Sequence, residues 1–158
     1  MEWEARLEQL WAAIDQLGEA TFLAAMETLL IELPEGSAII PYERASAFDS
    51  TGRADLAVPL YRQALAQGLG TDRRRQAVIQ LASSLRNLGE AAESVALLRA
   101  EQMRQSDELD DAVSAFLALA LADVGEPRKA LSIALTALSG HMTRYRRSLS
   151  NYARELDA

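Results

Sequence analysis

The chain has 158 residues, a formal net charge of −7 and no cysteine. The lack of cysteine excludes disulfides, thiolate nucleophiles and cysteine-ligated metals. The negative charge argues against general affinity for nucleic acid, because phosphate binding requires a cationic face. With 49% hydrophobic residues, 25% charged residues and only four prolines, the composition predicts a globular, helix-rich domain.

Helical hairpins are predicted along the whole chain. Each hairpin consists of an apolar, alanine-rich helix, a tight corner and a second helix. The predicted hairpins span about 2–33, 39–67, 72–104 and 107–139. A last helix, at about 141–156, is expected to cap the exposed end of the stack.

Four glycines mark the predicted corners and recur at a nearly constant spacing. Gly18, Gly52, Gly89 and Gly125 lie 34, 37 and 36 residues apart. Glycine is favoured just after a helix end, because it adopts the left-handed conformation that closes the last turn. Small residues and large apolar residues recur at matching offsets around these glycines, on shared helix faces. One hairpin cannot bury its apolar stripe alone, so the spacing predicts stacked hairpins.

The second hairpin carries the clearest form of the repeat, "YERASAFDSTGRADLAVPLYRQAL" at 42–65. The residues that define it are Ala45, Phe48, Gly52, Ala57, Tyr61 and Ala64. A unit of about 34 residues with this pattern resembles the tetratricopeptide repeat. Trp11, Ser94 and Glu101 depart from the pattern in other hairpins. The chain also resembles a group of short bacterial tetratricopeptide proteins that carry similar segments.

The resemblance implies an all-α fold, a right-handed α-solenoid of about eight helices plus the cap, in a single domain over 1–158. It also implies that the first helices of successive hairpins line a concave groove. The side chains facing that groove are expected at ten, six, three and two positions before each corner glycine. The predicted groove residues are Tyr42, Ser46, Asp49 and Ser50 in the second hairpin, Ile79, Ser83, Arg86 and Asn87 in the third, and Ala115, Leu119, Ala122 and Asp123 in the fourth.

Arg86 and Asn87 are the strongest candidates for contacts with a peptide or a carboxylate, because arginine offers a planar fork of donors. The clamp of lysine and asparagine with which the family holds C-terminal carboxylates is not matched here. The one lysine of the chain, Lys129, falls on a second helix. We therefore do not expect binding of chaperone tails.

No arrangement of residues in the sequence predicts catalysis, a cofactor or a metal site. The one histidine, His141, has no nucleophile motif beside it and is predicted to be a capping or solvent-exposed residue. The acidic run "SDELDD" at 106–111 lacks the alternating spacing of a Ca²⁺ loop and is predicted to begin a helix. The arginines of "TDRRRQA" at 71–77 are interpreted as a solvated charged face rather than a nucleic-acid site.

The sequence therefore predicts a non-enzymatic scaffold that binds a protein or peptide of open identity. The main alternative is self-association as a homodimer or larger homo-oligomer, because "AVSAFLALALA" at 112–122 is apolar on every side and must be covered. The C-terminal helix, a second copy or an apolar peptide would each cover it. A small-ligand or regulatory role is a further alternative. The acidic start lacks a secretory signal, and no run is long enough to span a bilayer, so a cytoplasmic location without membrane or nucleic-acid binding is expected.

Overall fold

The computed structural model describes residues 2–104 and 106–157, apart from the side chain of Asp72. All regular elements within these ranges are helices. In chain order they are α1 (Trp3–Ala12), a short 3₁₀ helix (Ile14–Gln16), α2 (Glu19–Leu30), α3 (Ile39–Ser50), α4 (Ala54–Ala66), α5 (Thr71–Asn87), α6 (Ala91–Gln102), α7 (Asp110–Asp123), α8 (Pro127–His141) and α9 (Arg146–Glu155).

The contacts divide the chain into two compact units, Met1–Ala77 (unit 1) and Val78–Ala158 (unit 2). In unit 1, α1 packs on α2, α2 on α3, and α3 on α4. In unit 2, α6 packs on α7, α7 on α8, and α8 on α9. Consecutive helices pack together within each unit, so the predicted all-α fold of helical hairpins is confirmed. That the hairpins form a single domain stays a prediction.

Each unit has its own hydrophobic core. The core of unit 1 contains Leu7, Phe22, Met26, Leu29, Leu30 and Ala47. The core of unit 2 contains Ile79, Ala82, Leu98, Val113, Leu117, Ala118, Leu121 and Ala130. The repeat pattern accounts for the burial at the α3–α4 hairpin. Ala45, Ala57 and Ala64 are small enough to let helices approach closely, and the 0% exposed side chain of Tyr61 fills the remaining space.

The corners at Gly52, Gly89 and Gly125 share one geometry. Their φ angles are 80°, 87° and 84°, in the left-handed region that glycine enters without steric cost. At each corner the glycine N–H donates to the carbonyl three residues earlier, at 3.0–3.1 Å. The next N–H donates to the carbonyl four residues before the glycine, at 2.8–2.9 Å. This pair of bonds is the Schellman motif, which closes the first helix of each of these hairpins.

Gly18 departs from this geometry, so the prediction of four equivalent corners is wrong at this position. α1 ends at Ala12, and Gly18 has φ −70° and ψ 152°, an extended conformation open to any residue. The Gly18 carbonyl accepts a hydrogen bond from the Phe22 N–H at 3.0 Å. Gly18 therefore begins α2 instead of closing α1, and the first hairpin is irregular.

The C-terminal region also differs from the predicted boundaries. α8 continues through Gly140, the predicted end of this helix, and stops at His141. α9 begins at Arg146 rather than at 141, after Tyr145 with a φ of 62°. α9 packs on α8, whereas Leu119 on α7 remains 46% exposed. The predicted capping helix is present, but part of the apolar surface of α7 stays uncovered.

Ser94 on α6 occupies a position at which the repeat has alanine, as at Ala57 and Ala130. Its side chain is 1% exposed, and its hydroxyl has no hydrogen-bond partner among the described residues. Leaving a buried polar group unpaired costs about 1–3 kcal/mol. We therefore expect Ser94→Ala to raise the free energy of unfolding, measured in urea, by about 1 kcal/mol or more.

Ser139 on α8 provides the matched control. It is also buried, but its hydroxyl donates to the Thr136 carbonyl at 2.7 Å. Ser139→Ala is expected to lower the free energy of unfolding by about 1 kcal/mol, because a satisfied hydrogen bond is lost. A loss of stability in Ser94→Ala would contradict the prediction.

Candidate functional site

A cavity of about 410 Å³ opens among α1, α3 and the first turns of α5, all within unit 1. These are the first helices of the first three hairpins, the helices predicted to line the groove. The residues that line the cavity are Glu4, Leu7, Glu8, Trp11, Tyr42, Glu43, Ser46, Arg73 and Gln76. We refer to it as the α1–α3–α5 cavity.

One guanidinium links the three walls of the cavity. Arg73 Nη2 on α5 donates to Glu4 Oε2 on α1 at 2.6 Å. Arg73 Nε donates to Glu43 Oε1 on α3 at 3.3 Å. The second oxygen of Glu43 accepts from Trp11 Nε1 at 3.1 Å. Charged hydrogen bonds, in addition to apolar packing, therefore hold α1, α3 and α5 around the cavity.

Glu43 is a buried carboxylate, and only 6% of its side chain is exposed. Burial raises the pKa of Glu43 above its ordinary value, and this effect outweighs the Trp11 hydrogen bond and the Arg73 charge, which both lower it. Glu43 is thus held by two donors yet remains costly to ionise. Its charge depends on Arg73 staying in place.

Two predicted groove residues, Tyr42 and Ser46, lie together in the wall of the cavity. The Tyr42 hydroxyl donates to Gln76 Oε1 at 3.0 Å, and the Ser46 hydroxyl donates to the Tyr42 carbonyl at 3.1 Å. Burial, assisted by the negative charge of Glu43, raises the pKa of Tyr42 to about 12. The phenol is therefore neutral at physiological pH, and both side chains are anchored in the wall. Further along α3, Asp49 is half-buried and Ser50 is exposed.

The predicted groove residues of unit 2 are more dispersed. Arg86 Nε lies 2.5 Å from Asp123 Oδ2, so these two side chains form an ion pair between α5 and α7. Ile79 belongs to the hydrophobic core, with 6% of its surface exposed. The remaining five differ in exposure: Ser83 is half-buried, whereas Asn87, Ala115, Leu119 and Ala122 are exposed. The structure thus brings together one pair of these residues and places one in the core.

Sequence reasoning missed most of the cavity wall. Glu4, Glu8 and Trp11 lie on α1, for which no groove residue was predicted. The offset of ten residues before the glycine, applied to Gly18, would have selected Glu8. The spacing of the glycines does not indicate that Arg73 belongs to the cavity wall, because its partners lie 30 and 69 residues away in sequence.

The arginine run at 71–77 does not form the solvated face that the sequence indicates. Arg73 is engaged in the cavity wall. Arg75 is buried, with 5% of its surface exposed. The interpretation of this run as a purely solvated face is therefore wrong, since one face of α5 is directed into packed structure.

The other polar groups singled out in the sequence have surface roles. His141 Nε2 lies 2.6 Å from Asp111 Oδ2, and both side chains are more than half exposed. Asp107 accepts a hydrogen bond from the Leu109 N–H at 2.8 Å, just before α7 begins. Among the described side chains, which do not include that of Asp72, no cluster of three or more acidic or histidine residues is placed to hold a metal ion. Across residues 2–104 and 106–157, no helix combines the length and hydropathy needed to cross a bilayer.

A family model described as "Tetratrico peptide repeat" matches residues 38–156, a segment that contains α3 to α9. The irregular first hairpin lies outside the match. No curated protein and no solved structure matches the chain. Because the matched segment covers most of the 158 residues, the chain belongs to the tetratricopeptide repeat family.

Proposed function

We propose that the protein is a non-enzymatic interaction module that binds a peptide segment of a partner protein in the α1–α3–α5 cavity. Repeats of this family generally mediate protein–protein interaction. The observation that carries the proposal is the position of the cavity, which is lined by the first helices of three hairpins. Its volume of about 410 Å³ falls within the range typical of ligand pockets, about 300–1,000 Å³.

The polar groups of the cavity favour binding over catalysis. The Ser46 hydroxyl donates to a backbone carbonyl and accepts from the Tyr61 hydroxyl at 3.4 Å, so it is engaged in the wall rather than paired with a base. Tyr42 has a pKa of about 12 and is a poor proton acceptor or donor at neutral pH. Glu43 is bound to two donors. Groups fixed in this way can orient a ligand.

Photo-crosslinking tests the proposal. In one variant a benzophenone amino acid replaces Gln76, an exposed residue of the cavity wall. In the control variant it replaces Gln63, an exposed residue on α4, which is the second helix of the second hairpin. We expect the probe at 76 to label a defined protein in cells that produce the chain, and the probe at 63 not to label it. Equal labelling of the same protein at both positions would contradict binding in the cavity.

Self-association is the second candidate function, and exposed apolar side chains of unit 2 favour it. Leu119 on α7 and Leu131 and Leu138 on α8 are each about half exposed. Exposed apolar side chains mark contact surfaces when they lie together. Light scattering over a range of concentrations tests this role. A mass that stays at 17.3 kDa throughout would exclude it.

A further inference from the structure

We infer that the α1–α3–α5 cavity takes a basic segment of its partner, with an arginine or lysine side chain seated beside Glu8 and Trp11. This inference rests on the proposed function and names the chemistry of its ligand. Three features support it: the charge of the cavity, the state of its individual carboxylates and the aromatic surface in its wall.

The cavity carries an excess of negative charge. Three carboxylates line it, on Glu4, Glu8 and Glu43, against the single guanidinium of Arg73. The surroundings have the same sign, because unit 1 contains twelve acidic and seven basic residues. A field of one sign focused in a cleft raises the local concentration of ligands of opposite charge. A basic segment is therefore attracted to this opening.

The carboxylates of the cavity are not equally available. Glu4 and Glu43 already share Arg73. Glu8 is exposed and makes no hydrogen bond or ion pair with any other described residue. An incoming guanidinium can form two parallel hydrogen bonds with the Glu8 carboxylate without displacing Arg73. Glu8 thus provides a carboxylate that the described residues leave available to a ligand.

Trp11 supplies the second element of the site. Its N–H donates to Glu43 at 3.1 Å and its ring packs on Phe22, so the part of the ring that lines the cavity remains for contact with a ligand. Indole is the aromatic side chain that best attracts a cation. A basic side chain therefore gains both a carboxylate and an aromatic surface in this cavity.

An acidic segment would meet the opposite conditions. The one guanidinium of the wall is already bonded to two carboxylates. An additional carboxylate would have to compete with them and would be repelled by Glu8. The wall therefore discriminates by charge, which is a common basis of specificity between partners.

Fluorescence of Trp11 provides a direct test. The chain has two tryptophans, so Trp3→Phe leaves Trp11 as the only reporter. The Trp3→Phe variant is titrated with the capped pentapeptide Gly-Arg-Gly-Arg-Gly and, separately, with the capped pentapeptide Gly-Glu-Gly-Glu-Gly. We expect a saturable change of Trp11 emission with the arginine peptide, weakened by added salt, and no saturable change with the glutamate peptide.

Two further variants assign the effect to the cavity. Glu8→Gln is expected to weaken binding of the arginine peptide about fivefold or more, since a charged hydrogen-bonding partner is lost. Glu19→Gln, which removes an exposed charge from α2 in the same unit, is expected to leave the affinity unchanged. Circular dichroism confirms that each variant is folded. An equal loss in both variants would reduce the effect to net charge and overturn the inference.

The outcomes separate this inference from the proposed function. Saturable binding of the glutamate peptide would overturn the preference for a basic ligand while supporting peptide binding in the cavity. If neither peptide alters Trp11 emission, the basic ligand is excluded, and crosslinking from position 76 still decides the proposed function on its own.

Discussion

Tyr61→Ala is expected to lower the free energy of unfolding by about 3–5 kcal/mol, the largest effect that we predict for a single substitution. The Tyr61 side chain is 0% exposed, and its ring centroid lies 6.3 Å from that of Tyr42. Truncation removes the buried ring and leaves a cavity between α3 and α4, because their helix positions are fixed by closely packed alanines. Urea denaturation followed by circular dichroism measures the loss.

Tyr61→Phe is the control that separates packing from hydrogen bonding. It retains the ring and removes only the hydroxyl, whose bond to Ser46 Oγ is long at 3.4 Å. We expect this variant to lose less than about 1 kcal/mol. A similar loss in both variants would show that the hydroxyl, rather than the ring, stabilises the hairpin.

Arg73→Met is expected to lower the free energy of unfolding by about 1–3 kcal/mol, because it leaves Glu43 buried without its cation. Arg53→Met provides the matched control. Among the residues that the structure describes, Arg53 pairs with the exposed Asp55 alone, at 3.3 Å, and such surface pairs are worth about 0–1 kcal/mol. Comparable effects of the two substitutions would show that the Arg73 bridge contributes no more than a surface ion pair.

The pH dependence of the Arg73→Met effect identifies its cause. Burial raises the pKa of Glu43 in the folded protein. Glu43 therefore becomes protonated, and neutral, when the pH falls below this raised pKa. A neutral Glu43 needs no cation, and the difference between wild type and Arg73→Met should therefore shrink as pH falls through this pKa. At neutral pH, adding Glu43→Gln to Arg73→Met should restore most of the loss. A deficit that is constant with pH would contradict this account.

The regular hairpins could be predicted because residues close together in the sequence determine their helices and corners. The second hairpin was placed at 39–67, and the structure has α3 at Ile39–Ser50 and α4 at Ala54–Ala66. Alanines at fixed offsets set the packing face, and a glycine in the left-handed region fixes the corner. At Gly18 the same residue type occurs with an extended backbone. Sequence alone identified the glycine but not which conformation it adopts.

The cavity was less accessible to sequence reasoning, because its wall depends on contacts between distant residues. The expected groove positions identified Tyr42 and Ser46, which do line it. The contribution of α1 was missed, since Trp11 stands where the repeat has a small residue. In the structure this large ring packs on Phe22, with centroids 5.2 Å apart, and bonds to Glu43. This departure from the repeat pattern therefore lies in the wall of the cavity.

Two main-chain hydrogen bonds close each of the corners at Gly52, Gly89 and Gly125, and at Gly52 the Thr51 hydroxyl also donates to the Ala47 and Phe48 carbonyls. Side chains that follow these glycines, such as Arg53, Glu90 and Glu126, take no part in this closure. Substitutions at these positions can therefore change the side chains on the surface of a hairpin without changing the geometry of its corner. Architecture and recognition are consequently free to evolve separately, and a new specificity could be grafted onto these helices without redesigning the turns that hold them.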